Sequence, residues 1–182
     1  MISWKNHFLY QVDYQHWAND KLLASCDKLS DEVRKHEEGL PFRSIHGTVN
    51  HLLVINLKWL GRLQGEPKDY KLDQQLFDEW RELKLALKQT MRQTQHWVEA
   101  QPESYFVGEL HFKTSAGVEQ HNWIHDVLTH FATDCAHYRG QIAGLAVRLG
   151  APTVDMDFIN YRRDMQDSLA HSKIAKGNNP GR

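Results

Sequence analysis

Apolar residues recur along this chain every three to four positions, the period that lines up one face of an α-helix. Trp4, Phe8, Val12, Gln15, Ala18, Leu22, Cys26 and Leu29 form a first stripe, which stops near Ser30-Asp31. Ser44 is placed to cap a second helix, in which Ile45, Val49, Leu52, Asn56, Leu60 and Leu63 recur before Gly65-Glu66-Pro67 ends it. Asp73 is the expected cap of a third, with Leu76, Trp80, Leu83, Leu87, Met91, Thr94 and Trp97 inward and Pro102 beyond its end. The fourth runs from about Trp123 to Leu149 and stops at Gly150-Ala151-Pro152. Four long amphipathic helices predict an all-α bundle.

Two connections exceed what adjacent antiparallel helices need, and long connections permit parallel neighbours. Residues 31–43 join the first pair, and residues 103–122 join the third helix to the fourth. The second connection holds Phe106, Gly108, Leu110 and Phe112, then Ser115-Ala116-Gly117, which predicts a short hairpin or irregular insertion before the last long helix. A single domain over residues 1–165 is expected, followed by a mobile polar tail over 166–182.

Composition removes several function classes. With 22 Lys and Arg against 23 Asp and Glu, the chain lacks the basic footprint of a nucleic-acid binder, and small molecules or a second copy of itself are the expected partners. Cys26 and Cys135 belong to no CxxC pair and read as buried thiols in a reducing interior. No apolar run approaches the length of a membrane span and no leader pattern opens the chain, so a cytoplasmic location is expected.

Chemistry concentrates between His130 and Ile142, where His130, Asp134, His137, Tyr138 and Arg139 crowd into less than four turns of predicted helix. At about 100° per residue, Tyr138 lies roughly 30° and Asp134 roughly 70° from the centre of the apolar arc, whereas His130 and His137 lie roughly 110–130° away. An inward carboxylate at Asp134 needs a cation, a donor or a metal ion as partner. In the second helix, His51 sits on the flank of the apolar stripe beside Thr48 and Ile55. Trp17, Trp59, Trp80 and Trp123 read as core or interface anchors, Arg139 and Gln141 as braces of helix ends or of a dimer contact, and His46 as a solvated residue.

Three segments together resemble the DinB-like (DinB/YfiT) proteins: Tyr14-Gln-His-Trp17-Ala-Asn19 in the first helix, Phe42-Arg-Ser-Ile-His-Gly-Thr-Val-Asn-His51-Leu with Trp59-Leu-Gly-Arg62-Leu in the second, and His137-Tyr-Arg-Gly-Gln-Ile142 in the fourth. The resemblance runs from about Phe8 to Leu149. It implies a four-helix bundle with up-down-down-up connections, often a homodimer, holding a divalent metal through one histidine of the second helix and an HxxxH pair of the fourth. His51 matches the first ligand, while the HxxxH positions fall at Asp134 and Tyr138. A zinc, nickel, manganese or iron ion held by His51, Asp134 and Tyr138 is thus the metal site the resemblance implies, with His137 in reserve.

Two readings of the function follow. One is a metal-dependent enzyme of the thiol-transferase type with an altered metal site, in which the ion lowers the pKa of a small thiol and the thiolate attacks an electrophile. The other is a noncatalytic, small-ligand-binding or stress-related dimeric bundle that has lost its metal, with His51, Asp134 and Tyr138 forming a satisfied polar network.

Overall fold

A computed structural model of the chain describes residues 3–166; the expected tail, apart from Gln166, lies outside the described residues. The fold is mostly helical and carries one small two-stranded sheet. Helix α1 spans Trp4–Cys26, a short α2 Asp31–Lys35, α3 Ile45–Gln64, and α4 Trp80–Ala100. A 3-10 turn over Glu103–Val107 leads into β1 (Glu109–Lys113) and β2 (Glu119–Trp123), and α5 (Ile124–Arg148) follows directly. The four long helices pack in the order α1, α4, α3, α5, with α5 closing back on α1. Phe8, Leu52, Leu87 and Ile142, one from each, are all but inaccessible in the shared core. None of the described helices is long and apolar enough to cross a membrane.

Local sequence explains most element ends. Ser3, Ser30 and Ser44 each accept a backbone N–H of the following helix through the side-chain oxygen, satisfying donors that the first turn leaves free. Gly65 closes α3 in the left-handed region at φ 75°, a conformation that favours glycine. The expected hairpin is present, with Leu110 paired to Asn122 and Phe112 to Gln120, so the chain is not purely α.

The third long helix starts later than its sequence stripe predicts. Asp73 does not cap it: α4 begins at Trp80, and no side chain caps its first turn. Buried polar groups of α3 account for the delay. The Asn50 side-chain oxygen accepts the amides of Leu76 and Phe77 at 2.8 and 3.1 Å, and its amide nitrogen donates to the Phe77 carbonyl at 3.0 Å. His46 bonds that carbonyl too, at 2.9 Å, and Lys58 donates to the Tyr70 carbonyl at 2.6 Å. A segment whose backbone groups are taken by side chains of another helix has fewer left for its own. Residues 66–79 therefore run across α3 as an irregular strap. This also corrects the reading of His46, which is buried rather than solvated.

Arg139 likewise sits in the interior, where it donates to Gln15 and lies over the Tyr14 ring, rather than bracing a helix end or an exposed contact. Of the tryptophans, Trp80 is buried, whereas Trp123 is 48 % exposed at the start of α5. A last helical stretch, residues 158–166, returns along α1, where Tyr161 is buried and donates to Asp13 at 2.6 Å.

Candidate functional site

His51, Asp134 and Tyr138 line one cavity of about 180 Å3 between α3 and α5. Its remaining walls come from Ile55, Lys58, Trp59 and Arg62 of α3, Leu72 of the strap, Ser115 at the hairpin tip and His130 of α5. Side chains at 51, 55, 58 and 62 are spaced four, three and four apart, so α3 presents them on a single face. Asp134 and Tyr138 are one turn apart on α5 and meet that face.

His51 is the most constrained of the three. Its Nδ1 lies 2.7 Å from the Leu72 carbonyl oxygen, which only accepts, so Nδ1 carries the proton and Nε2 keeps its lone pair. The ring is stacked on Phe42 at 3.6 Å between centroids and 12° between planes, and Tyr138 meets it edge-on at 4.4 Å. Phe42 reaches this position because residue 47 is glycine. A Cβ there would collide with the Phe42 carbonyl oxygen. The turn that delivers Phe42 holds Arg43 at φ 70°, a left-handed conformation costing an L-residue ~1 kcal/mol or more.

Burial sets the protonation states. It pulls the His51 pKa below the ordinary 6.5, outweighing the Leu72 carbonyl and the Asp134 carboxylate, which both raise it. The Tyr138 phenol is pushed up, first by burial and then by the neighbouring Asp134 charge, so it stays protonated. Cys135, which is buried in the core and receives an N–H from Asn56, is pushed up to about 12 by burial. A thiol so buried is packing, as the helical wheel predicts, and not a nucleophile.

Two cations share this cavity. Lys58 is 6 % exposed and uses one of its three N–H donors on the Tyr70 carbonyl. Arg62 donates to the Lys113 carbonyl at 3.3 Å and lies 4.5 Å above the Trp59 ring and 5.0 Å from that of Phe112. Burial lowers the pKa of both; for Lys58 the Arg62 charge adds to the effect and the Asp69 charge opposes it. Sequence reasoning named neither as a site residue. The signal was available, because Lys58 and Arg62 lie seven and eleven residues after His51 on the same helical face.

The two histidines that the wheel placed outside the arc behave differently. His130 is exposed yet reaches the cavity rim, edge-on to Trp59 at 5.4 Å. His137 is exposed, accepts from the Gln141 amide at 2.8 Å, and does not line the cavity.

Matching the chain against family models places residues 4–169 within the model of the DinB family. The chain belongs to the DinB family. A comparison with curated proteins gives no match. For a DinB-family protein, the decisive question is whether this donor set suits a divalent ion. His51 has the backbone-braced tautomer that metal-binding histidines commonly show, and Asp134 adds a carboxylate. The third wall is a protonated phenol, an ammonium and a guanidinium face the same space, and no three His, Cys, Asp or Glu side chains among the described residues are grouped to hold an ion. Two donors beside two cations fall short of a three-ligand centre.

Proposed function

We propose that this DinB-family chain is a small-molecule-binding bundle whose ligand site is the cavity between α3 and α5, with its four long helices read as connected up-down-down-up. One observation carries the reading: Nδ1 of His51 is committed to the Leu72 carbonyl at 2.7 Å, which leaves a neutral imidazole with a free Nε2 lone pair in a ring clamped by Phe42 and Tyr138. Such a group accepts a hydrogen bond from a ligand hydroxyl, thiol or amine, and takes up its proton where the ligand is acidic enough. Tyr138 offers a phenolic donor on the adjoining wall. Ile55, Trp59 and Leu72 supply apolar surface, the usual composition of a small-ligand site.

A second reading is a divalent ion held by His51 and Asp134, which serves thiol transfer; it is favoured by their sharing one cavity. Metal analysis of protein purified without chelator, then titrated with zinc, nickel and manganese, separates the two. The small-molecule reading expects no stoichiometric metal in the natural chain and tight zinc or nickel in the Asp134→His, Tyr138→His double variant. Stoichiometric metal in the natural chain, lost in both His51→Ala and Asp134→Ala, overturns it.

A further inference from the structure

Lys58 and Arg62 stand one turn apart on α3, and like charges at that spacing repel each other. Among the described residues, neither has a carboxylate within ion-pair distance, although Lys58 is only 6 % exposed. Lysines elsewhere on the surface do find such partners, as Lys84 does on Asp27 at 2.6 Å and Lys88 on Asp20 at 2.9 Å. The nearly buried Lys58 is thus paired less well than these half-buried lysines. The Asp69 carboxylate acts on Lys58 only from beyond ion-pair distance; a buried charge without a directly paired carboxylate is costly, and the arrangement is best explained if that partner arrives with a ligand.

The balance of charge indicates what kind of ligand. Lys58 and Arg62 contribute two positive charges to the cavity lining, and Asp134 one negative, leaving a net charge of one positive. A monoanion neutralises that site, whereas a phosphate dianion would overshoot and stand against Asp134. The cavity, about 180 Å3 and open to solvent on one side, has room for a short organic acid. The guanidinium of Arg62 sits over Trp59 at 4.5 Å and already donates to the Lys113 carbonyl, so its position is set before any ligand enters.

We propose that the cavity binds a small monocarboxylate, its carboxylate paired with Lys58 and Arg62 and its body lying against Trp59 and Ile55 within reach of His51. This rests on the reading of the cavity as the ligand site and adds the chemical class of the ligand.

The test uses the full chain, the monocarboxylates acetate, butyrate and benzoate, their neutral amides, and inorganic phosphate, with binding followed by calorimetry and by the His51 and Tyr138 ring signals in NMR. Acids are expected to shift those signals and to bind at least about tenfold more tightly than their amides, with phosphate weaker than the best acid. Lys58→Met and Arg62→Met should each weaken the best acid by more than about tenfold. Asp134→Asn, which removes the opposing charge, should tighten it, and a damaged fold cannot mimic that gain. If amides shift the ring signals and bind as well as acids, the cavity is the site but the class is wrong. If phosphate binds best, the monoanion argument is overturned. If no probe shifts the ring signals, both the ligand class and the cavity reading fall together.

Discussion

Asn50→Ala should cost this protein more stability than its single side chain suggests, because Asn50 fastens the strap over 66–79 to α3. The residue is fully buried, and its amide serves the Leu76 and Phe77 N–H groups as acceptor and the Phe77 carbonyl as donor. Alanine leaves the Leu76 and Phe77 N–H groups without that partner, while the Phe77 carbonyl keeps its bond to His46 at 2.9 Å. Each buried polar group so orphaned costs ~1–3 kcal/mol. Leu72 and Gln75 of the strap are exposed, so water reaches part of it and relieves some of the penalty. The expected loss is about 2–4 kcal/mol in urea unfolding. Gln75→Ala is the control: it removes an exposed side chain that accepts a single bond from Asn50 at 3.0 Å, and it should cost under ~0.5 kcal/mol. Amide exchange supplies the local readout, with Leu76 and Phe77 losing protection in Asn50→Ala. Loosening the strap should also free Nδ1 of His51 from Leu72 and weaken any ligand of the cavity. A loss below about 1 kcal/mol with both amides still protected would refute the claim that Asn50 holds the strap.

Three further outcomes follow from the same structure. Burial keeps His51 and His16 below the ordinary histidine value of 6.5, so the folded chain binds fewer protons than the unfolded one as pH drops. Their contribution to stability is complete above pH 6.5 and lost as pH falls through the lowered folded values; His51→Gln should flatten that part of a urea-midpoint profile, and an unchanged slope would contradict it. Both thiols are pushed up to about 12, so Ellman's reagent at pH 8 should find no fast-reacting thiol in native protein and two after denaturation; rapid native labelling of Cys135 would show that α5 opens there. Tyr161→Phe removes the 2.6 Å bond to the Asp13 carboxylate and should cost about 1–2 kcal/mol by thermal unfolding, with a loss near zero meaning that the 158–166 helix is held by ring packing alone.

Periodicity in the sequence is enough to predict the long helices, because burying one face of each is the only way such stripes leave water. Stripes locate α1, α3 and α5 closely, Ser44 marks the start of α3, and the alternation around Leu110 and Phe112 marks the hairpin. Inward positions on the wheel put Asp134 and Tyr138 toward the same space as His51, and three short motifs identify the family. Tertiary structure decided the rest. Asp73 looks like a cap because capping is local, but Asn50 and His46 bind the nearby backbone across α3, and a contact at a separation of 26 residues leaves no local trace. Arg139 reads as a surface brace until Gln15 of α1 is found beside it. Lys58 and Arg62 look like ordinary solvated cations on one helix. Only the approach of α5, the strap and the hairpin tip turns their face into a cavity wall, because the cost of a charge depends on what surrounds it and not on the residue that carries it.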